Sequence, residues 1–305
     1  MRAAVLGKPI AHSLSPVLHR AAHDALGLGD WEYETVECAE EELPGFVTSR
    51  DESWAGLSLT MPLKRAVLPL LDQADPLATA TGGANTVVFR AEGLAGYNTD
   101  VQGIVAALTG AGLTEAGLTE GGLTEAGTPS AGPPFAGRAL ILGAGATACS
   151  ALAAIGAMGG SGADVAVRDK SRATGLLEAA ERLGLRVRLL DLAELGRASL
   201  EGHAPDLLIS TLPAGAADFY RHIFAERPSQ SPPAPATVFD VVYAPWPTRL
   251  ALAARAAGAR VVGGFPMLLH QAAAQVELMT GKPAPLEAMR AAGEAELTRR
   301  AAPAP

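Results

Sequence analysis

Apolar and polar positions along this chain follow two different periods. Ala3-Ala4-Val5-Leu6 is an unbroken apolar run stopped by Gly7, which predicts a buried strand. Val17, Leu18, Ala21, Ala22, Ala25 and Leu26 then recur at helical spacing. Ser15 is expected as the N-cap of that helix, Pro16 at its first position and Gly27 just past its end. Residues 31–36 alternate as a strand, and 56–60 predict another. Segments 84–89 and 94–97 read as strands flanking a hairpin turn at 90–93. Short strands and helices in alternation predict an α/β domain for this part of the chain.

The second half carries a more regular pattern. Strands are predicted at 138–142, 163–168, 186–190, 206–210, 237–243 and 260–262, with helical segments in most of the intervals. Strands joined by crossover helices predict a doubly wound parallel sheet of the Rossmann kind. Helices are expected over 266–281 and 285–300. The first of the six strands runs Leu140-Ile141-Leu142 into the turn Gly143-Ala144-Gly145-Ala146 and then a helix. In that context Gly143 allows the tight turn and Gly145 the close approach of a pyrophosphate. Ala148 allows close helix–strand packing, and the helix N-terminus receives the anion. A Gly-Ala-Gly turn also serves plain strand–helix packing, so the motif alone leaves both readings open.

Between the halves, residues 112–126 repeat Gly-Leu-Thr-Glu-Ala/Gly, followed by a Pro- and Gly-rich stretch. Regular glycines weaken any helix and no apolar face accumulates, so 110–135 is expected to be a surface insertion without a chemical role. Residues 228–235 predict a second exposed loop, and 301–305 a frayed tail. The expected domains are therefore 1–101, joined by the helices over 266–300, and a dinucleotide-binding domain over 102–265.

Composition narrows the function. A length of 305 residues with 49% hydrophobic content is ample for two cores. A net charge of −8 argues against nucleic acid or an anionic membrane as partner. Cys38 and Cys149 fit no metal or redox spacing, and the six histidines form no cluster, so no metal is expected. The same two cysteines make a reducing cytoplasm the expectation, and there is neither a secretory leader pattern at the start nor an apolar run approaching the ~18 residues of a membrane span.

The first half also places polar groups at strand ends: Lys8 to Pro16 with Ser13 and Ser15, Thr60-Met61-Pro62-Leu63-Lys64, Gly83-Ala84-Asn85-Thr86 and Asn98-Thr99-Asp100. Hydroxyls, an amide, an amine and a carboxylate suit a small polyhydroxylated ligand. In these segments, in the glycine turn, in Asp240-Val241-Val242-Tyr243 and in Met267-Leu268-x-x-Gln271-Ala272, the chain resembles the shikimate dehydrogenases. The motifs run in the family's order from residue 7 to residue 272.

The resemblance implies reversible, NADP-dependent reduction of 3-dehydroshikimate to shikimate in aromatic amino-acid (chorismate) biosynthesis, by a monomer or homodimer. It implies that Ser13 and Ser15 hold the substrate carboxylate, and that Thr60, Asn85, Asp100 and Gln271 bind ring hydroxyls with Tyr243 nearby. Lys64 would be the acid–base residue and Asp100 its co-catalytic partner. The cofactor would meet Gly143, Ala144, Gly145, Ala146, Thr147, Arg168, Lys170, Arg172, Thr211, Val241 and Gly264. An interdomain cleft with hinges near Val101 and Gly263-Gly264 is also implied.

Each residue has a plainer reading as well. Ser15 could be only a cap, Asp100 a cap for a helix from Val101, Asn85 a turn residue, Lys64 a solvated surface cation and Gln271 a solvent-facing side chain. His12 and His19 are expected as structural or rim groups.

The chain departs from the family at several points. Ala146 replaces a glycine, Ser210 to Gly215 replaces an Asn-Ala-Thr segment, Pro266 stands where glycine is common, and Arg20 replaces an asparagine. Arg168-Asp169-Lys170-Ser171-Arg172 stands where Asn-Arg-Ser/Thr is usual. Its cations favour the 2′-phosphate of NADP, whereas Asp169 could take the ribose hydroxyl of NAD. A quinate/shikimate enzyme using NAD and a non-catalytic metabolite-binding relative are the alternatives. The retained Lys64 and Asp100 argue against the second of these.

Overall fold

The computed structural model describes residues 1–113, 135–193, 195, 205–218 and 237–302. Most of the repeat insertion, the stretch at 228–235 and the tail beyond 302 lie outside the described residues. The chain forms two compact units, Met1–Gly103 with Leu268–Pro305, and Ile104–Met267.

In the first unit the elements are β1 (Arg2–Gly7), α1 (Ser15–Ala25), β2 (Glu32–Glu37), α2 (Leu43–Thr48), β3 (Trp54–Leu59), α3 (Leu63–Ala66), β4 (Gln73–Ala74), α4 (Pro76–Thr81), β5 (Thr86–Arg90) and β6 (Gly93–Tyr97). The sheet order is β2-β1-β3-β5-β6-β4. β1 is parallel to β2 and β3, whereas β5 runs antiparallel to β3 and β6. β2 is one of the two edge strands and keeps its polar alternation. β3 is interior and every residue of it is buried, so it reads as an apolar run interrupted only by Ser58.

The two faces of β1 feed different cores. Ala4 and Leu6 pack with Leu57, Leu59, Leu63 and Val87, while Ala3 and Val5 pack with Ile10 and Tyr33. Truncating one such buried leucine to alanine costs about 2–5 kcal/mol.

Two features differ from the sequence reading. Leu14, not Ser15, occupies the N-cap of α1; Ser15 is the first helical residue, and its N–H, which has no partner within the helix, donates to the Ser13 hydroxyl at 3.2 Å. The short helices α2, α3 and α4 are additional, since four to six residues cannot display a helical period. α4 nevertheless carries full end signals: Asp75 accepts from the Ala78 N–H at 2.6 Å, Pro76 follows, and Gly82 closes the helix in the left-handed region.

The second unit contains β7 (Ala139–Leu142), α6 (Ala146–Ala157), β8 (Gly162–Val167), α7 (Thr174–Leu183), β9 (Arg186–Asp191), β10 (Leu207–Ser210), β11 (Thr237–Asp240), α8 (Arg249–Ala256) and β12 (Arg260–Val262). Every pairing is parallel, in the order β12-β11-β10-β7-β8-β9. The order reverses between β7 and β10, both fully buried, and the crevice outside the carboxyl ends of the strands there is where such sheets bind ligands. β11 stops at Asp240, short of the expected 243. The Asp240 carboxylate takes the Val242 N–H at 3.3 Å and the Thr248 hydroxyl at 2.7 Å, which folds the following loop back.

Two helices carry the chain from one unit to the other, α5 (Asp100–Gly110) and α9 (Gly264–Thr280), and α10 (Leu286–Ala301) follows in the first unit. Among the described residues no helix is long and apolar enough to cross a membrane.

Candidate active site

Lys64 reaches its position through the turn after β3. The Leu63 N–H closes on the Thr60 carbonyl at 2.8 Å, and the Lys64 carbonyl accepts from the Ala84 N–H at 2.8 Å. The side chain then points inward. Its Nζ lies 2.5 Å from Asp100 Oδ2, with the two side chains only 16% and 5% exposed. A solvated surface lysine does not describe it.

Asp100 opens α5, its N–H held at 3.2 Å by Asn98 Oδ1. Its carboxylate is taken by Lys64 on one oxygen and by Asn85 Nδ2, at 2.8 Å, on the other. That is a binding geometry for the carboxylate rather than a helix cap. Asn85 is buried, and its Oδ1 accepts from the Thr99 N–H at 2.9 Å, which leaves its NH2 no choice but to face Asp100. The same NH2 reaches Gln271 Oε1 at 3.2 Å, while Gln271 Nε2 donates to the Leu268 carbonyl at 2.9 Å. Gln271 is buried, not solvent-facing. Lys64, Asp100, Asn85 and Gln271 thus form one connected cluster.

Thr60 stands at the end of β3, its N–H on the Leu6 carbonyl at 2.9 Å. Ser13 and Ser15 lie at the start of α1, Ser15 buried and Ser13 half-buried. Arg300, in the last turn of α10, grips this loop. It donates to the His12 carbonyl at 2.6 Å and the Ser13 carbonyl at 3.4 Å, and Glu296 steadies it at 2.7 Å. His19 is fully buried, stacked on Tyr33, and burial pushes its imidazole down to about 3. His12 is exposed. Tyr243 belongs to the second unit, just beyond β11, and is half-buried there.

In the second unit, Gly143 leaves β7 at φ +105°, a conformation L side chains rarely adopt, and its N–H bonds the Ala166 carbonyl at 2.9 Å. Thr211 approaches the same turn, its hydroxyl on the Leu142 carbonyl at 2.8 Å. Gly145 is the N-cap of α6 with an ordinary φ of −76°. A Cβ there would meet nothing within 4 Å, so the fold itself does not demand glycine at 145. Ala144, Ala146 and Thr147 surround it half-exposed, and buried Ala148 packs inward. The Ala148 N–H is taken by the Gly145 carbonyl at 3.0 Å, which leaves the half-exposed Ala146 and Thr147 at the helix N-terminus, where an anion is favoured.

Arg168, Lys170 and Arg172 stand exposed beyond β8. Asp169 Oδ1 is drawn into its own turn by the Ser171 N–H at 2.9 Å and hydroxyl at 2.6 Å, which hold its carboxyl below the usual range. Gly264 meets the chain after β11, donating its N–H to the Val242 carbonyl at 3.1 Å beside Val241. Among the described residues no grouping of three His, Cys, Asp or Glu side chains is placed to hold a metal.

Residues 5–87 match the shikimate dehydrogenase substrate-binding domain, and residues 264–292 match the shikimate 5′-dehydrogenase C-terminal domain. A shikimate dehydrogenase (NADP+) of Citrifermentans bemidjiense is 35% identical over 304 residues, covering 97% of this chain and 95% of that protein. The chain belongs to the shikimate dehydrogenase family.

Solved structures of the family agree. The Mycobacterium tuberculosis shikimate dehydrogenase aligns with a TM-score of 0.77 at 38% identity, covering 97% of this chain and 99% of that one. The Thermus thermophilus enzyme, in complex with NADP(H) and shikimate, aligns with a TM-score of 0.72 at 32% identity, covering 97% of this chain and 99% of that one. The residues present fit a phosphorylated dinucleotide: a glycine turn at a helix N-terminus, open space above Gly145 and exposed cations beyond β8.

Several residues bonded to the cluster lie outside the set expected from the sequence. Thr86 and Thr99 lie inside the motifs that were read, and both hydroxyls bond Asn85, at 2.8 Å and 2.9 Å. Gln275 sits one helical turn beyond Gln271, and that i, i+4 spacing was a signal that could have found it. Arg300 carried no local signal.

Proposed function

We propose that this chain interconverts 3-dehydroshikimate and shikimate with NADP in aromatic amino-acid biosynthesis, with Lys64 and Asp100 as its catalytic pair. The observation that carries the reading is the Lys64–Asp100 contact, set among the amides of Asn85 and Gln271. Reduction places negative charge on the former carbonyl oxygen, which needs stabilisation and a proton. The Lys64 ammonium supplies both at one atom. Asp100 holds that ammonium and accepts from a ring hydroxyl. Asn85, Gln271 and Thr60 orient the remaining hydroxyls, and Ser13 and Ser15 take the substrate carboxylate.

NADPH, when bound, supplies the hydride. The glycine turn and first turn of α6 hold its pyrophosphate, and Thr211, Val241 and Gly264 border it. Arg168, Lys170 and Arg172 take the 2′-phosphate. Asp169, with one oxygen committed to Ser171, is poorly disposed to a ribose hydroxyl, which favours NADP over NAD. The enzyme works in the cytoplasm as a monomer or homodimer, without nucleic acid or membrane partners.

Initial rates with shikimate and with quinate, each with NADP and NAD, test this reading. Turnover of shikimate with NADP is expected to dominate. Preference for NAD with quinate would shift the assignment to a quinate enzyme, and no turnover with any pair would leave a metabolite-binding relative.

A further inference from the structure

Gln275 lies beneath the substrate cluster without being one of its expected residues. It is 1% exposed and fully engaged. Its Nε2 donates to the Asn85 carbonyl at 3.2 Å and to Thr86 Oγ1 at 3.0 Å. Its Oε1 accepts from the Ser58 hydroxyl at 2.9 Å and faces His19 Nε2 at 3.3 Å. A backbone carbonyl only accepts, so the amide of Gln275 has one orientation. His19 must then carry its proton on Nε2, and its buried Nδ1 has no partner.

That orientation propagates. Thr86, receiving from Gln275, gives its own proton to Asn85 Oδ1 at 2.8 Å. Asn85, with Oδ1 filled by Thr86 and the Thr99 N–H, presents Nδ2 to Asp100. On the other side Ser58, donating to Gln275, receives the Tyr33 hydroxyl at 2.7 Å, and that hydroxyl interacts in turn with Ser15. Every donor along the line from Tyr33 to Asp100 points the same way. The line joins the serine expected at the substrate carboxylate to the carboxylate that holds Lys64.

We propose that Gln275 is a positioning residue for the catalytic pair: by fixing the Thr86 hydroxyl as a second donor to Asn85 Oδ1, it reinforces the orientation that the Thr99 N–H gives the Asn85 amide and so holds the Asn85 NH2 on Asp100. Gln275 touches neither substrate nor cofactor in this role. It acts through Thr86 and Asn85. The inference rests on Lys64 and Asp100 being the reacting pair.

The test compares the full-length parent with Gln275→Met, Thr86→Val, Thr86→Ser and the double variant Gln275→Met/Thr86→Val. Loss of one buried hydrogen-bond link is expected to lower kcat about tenfold in Gln275→Met and in Thr86→Val, with KM for shikimate changed less than about threefold. Thr86→Ser keeps the hydroxyl and should restore kcat to within about twofold of the parent. The double variant should lose no more than either single one, because both cut the same line. The pH profile of kcat should move in both single variants.

Parent-like kcat and pH profile in folded Gln275→Met would overturn the inference, as would single losses that multiply in the double variant. A parent inert towards shikimate and NADP would overturn the reaction assignment instead. In that case the carboxyl-carbon NMR titration of Asp100 still decides. A titration displaced in Gln275→Met relative to the parent supports the positioning role, and an identical one removes it.

Discussion

Lys64 and Asp100, thirty-six positions apart in the chain, meet at 2.5 Å with both side chains largely withdrawn from solvent. The contact joins the turn after β3 to the first turn of α5. Because Asn85 occupies the second Asp100 oxygen, the carboxylate cannot swing away from the ammonium without breaking a buried bond. Lys64→Ala is expected to lower kcat at least ~100-fold with little change in KM, the signature of a lost acid–base group. Steady-state kinetics check this, and near-full turnover would remove Lys64 from the mechanism.

Arg300 predicts a different pattern. It holds the carbonyls of His12 and Ser13 from the far end of the chain, so its removal loosens the loop rather than the reacting pair. Arg300→Ala is expected to raise KM for shikimate about five- to tenfold, with kcat and KM for NADP near the parent values. Arg300→Lys, one charge without the planar fork, should recover only part of the loss. An unchanged KM in Arg300→Ala would show that the loop keeps its shape unaided.

The exposed cations beyond β8 predict cofactor discrimination. Arg168→Ala should raise KM for NADP about tenfold and leave KM for NAD unaltered, because only NADP carries the extra phosphate. The effect should shrink at high salt, since the site is solvent-exposed and screened. Equal losses with both cofactors would assign Arg168 to the adenine or ribose instead.

His19 predicts how stability varies with pH. Burial holds its folded-state value down to about 3, against an unfolded value near 6.5. Between these values the unfolded chain binds a proton that the folded chain refuses. The stability associated with neutral His19 is complete above pH ~6.5 and falls as pH drops towards ~3, by at most about 1.4 kcal/mol per pH unit. Urea unfolding of the parent and of His19→Gln between pH 7 and pH 4.5 should give a shallower decline in the variant. Parallel declines would rule out His19 as the source.

Much of the fold was legible because it is written locally. The run Leu140-Ile141-Leu142 before Gly143 carries its strand, turn and helix within a dozen residues, and the helical spacing from Val17 to Leu26 carries α1. What was missed was also local in cause. α2, α3 and α4 are too short to show a period, and α1 begins at Ser15 itself, one residue earlier than a Ser15 cap implies. The polar candidates of the first unit were named from ordered motifs. The hydrogen bonds between them were not, because Asn85 meets Gln271 across 186 positions, and Arg300, which meets His12 across 288, stands in none of those motifs.

The alternating elements, the parallel sheet entered through a glycine turn, and the residue types able to bind a polyhydroxylated acid are all written in the linear chain. Spacing and turn chemistry act over a few residues, so they survive in the linear chain. The contacts among the polar groups come from the folding of distant segments together. That folding placed Lys64 on Asp100, turned the Asn85 amide so that its NH2 meets that carboxylate, and set Gln275 behind both. The direction of a buried hydrogen bond follows from its partners in space, and no local pattern encodes it.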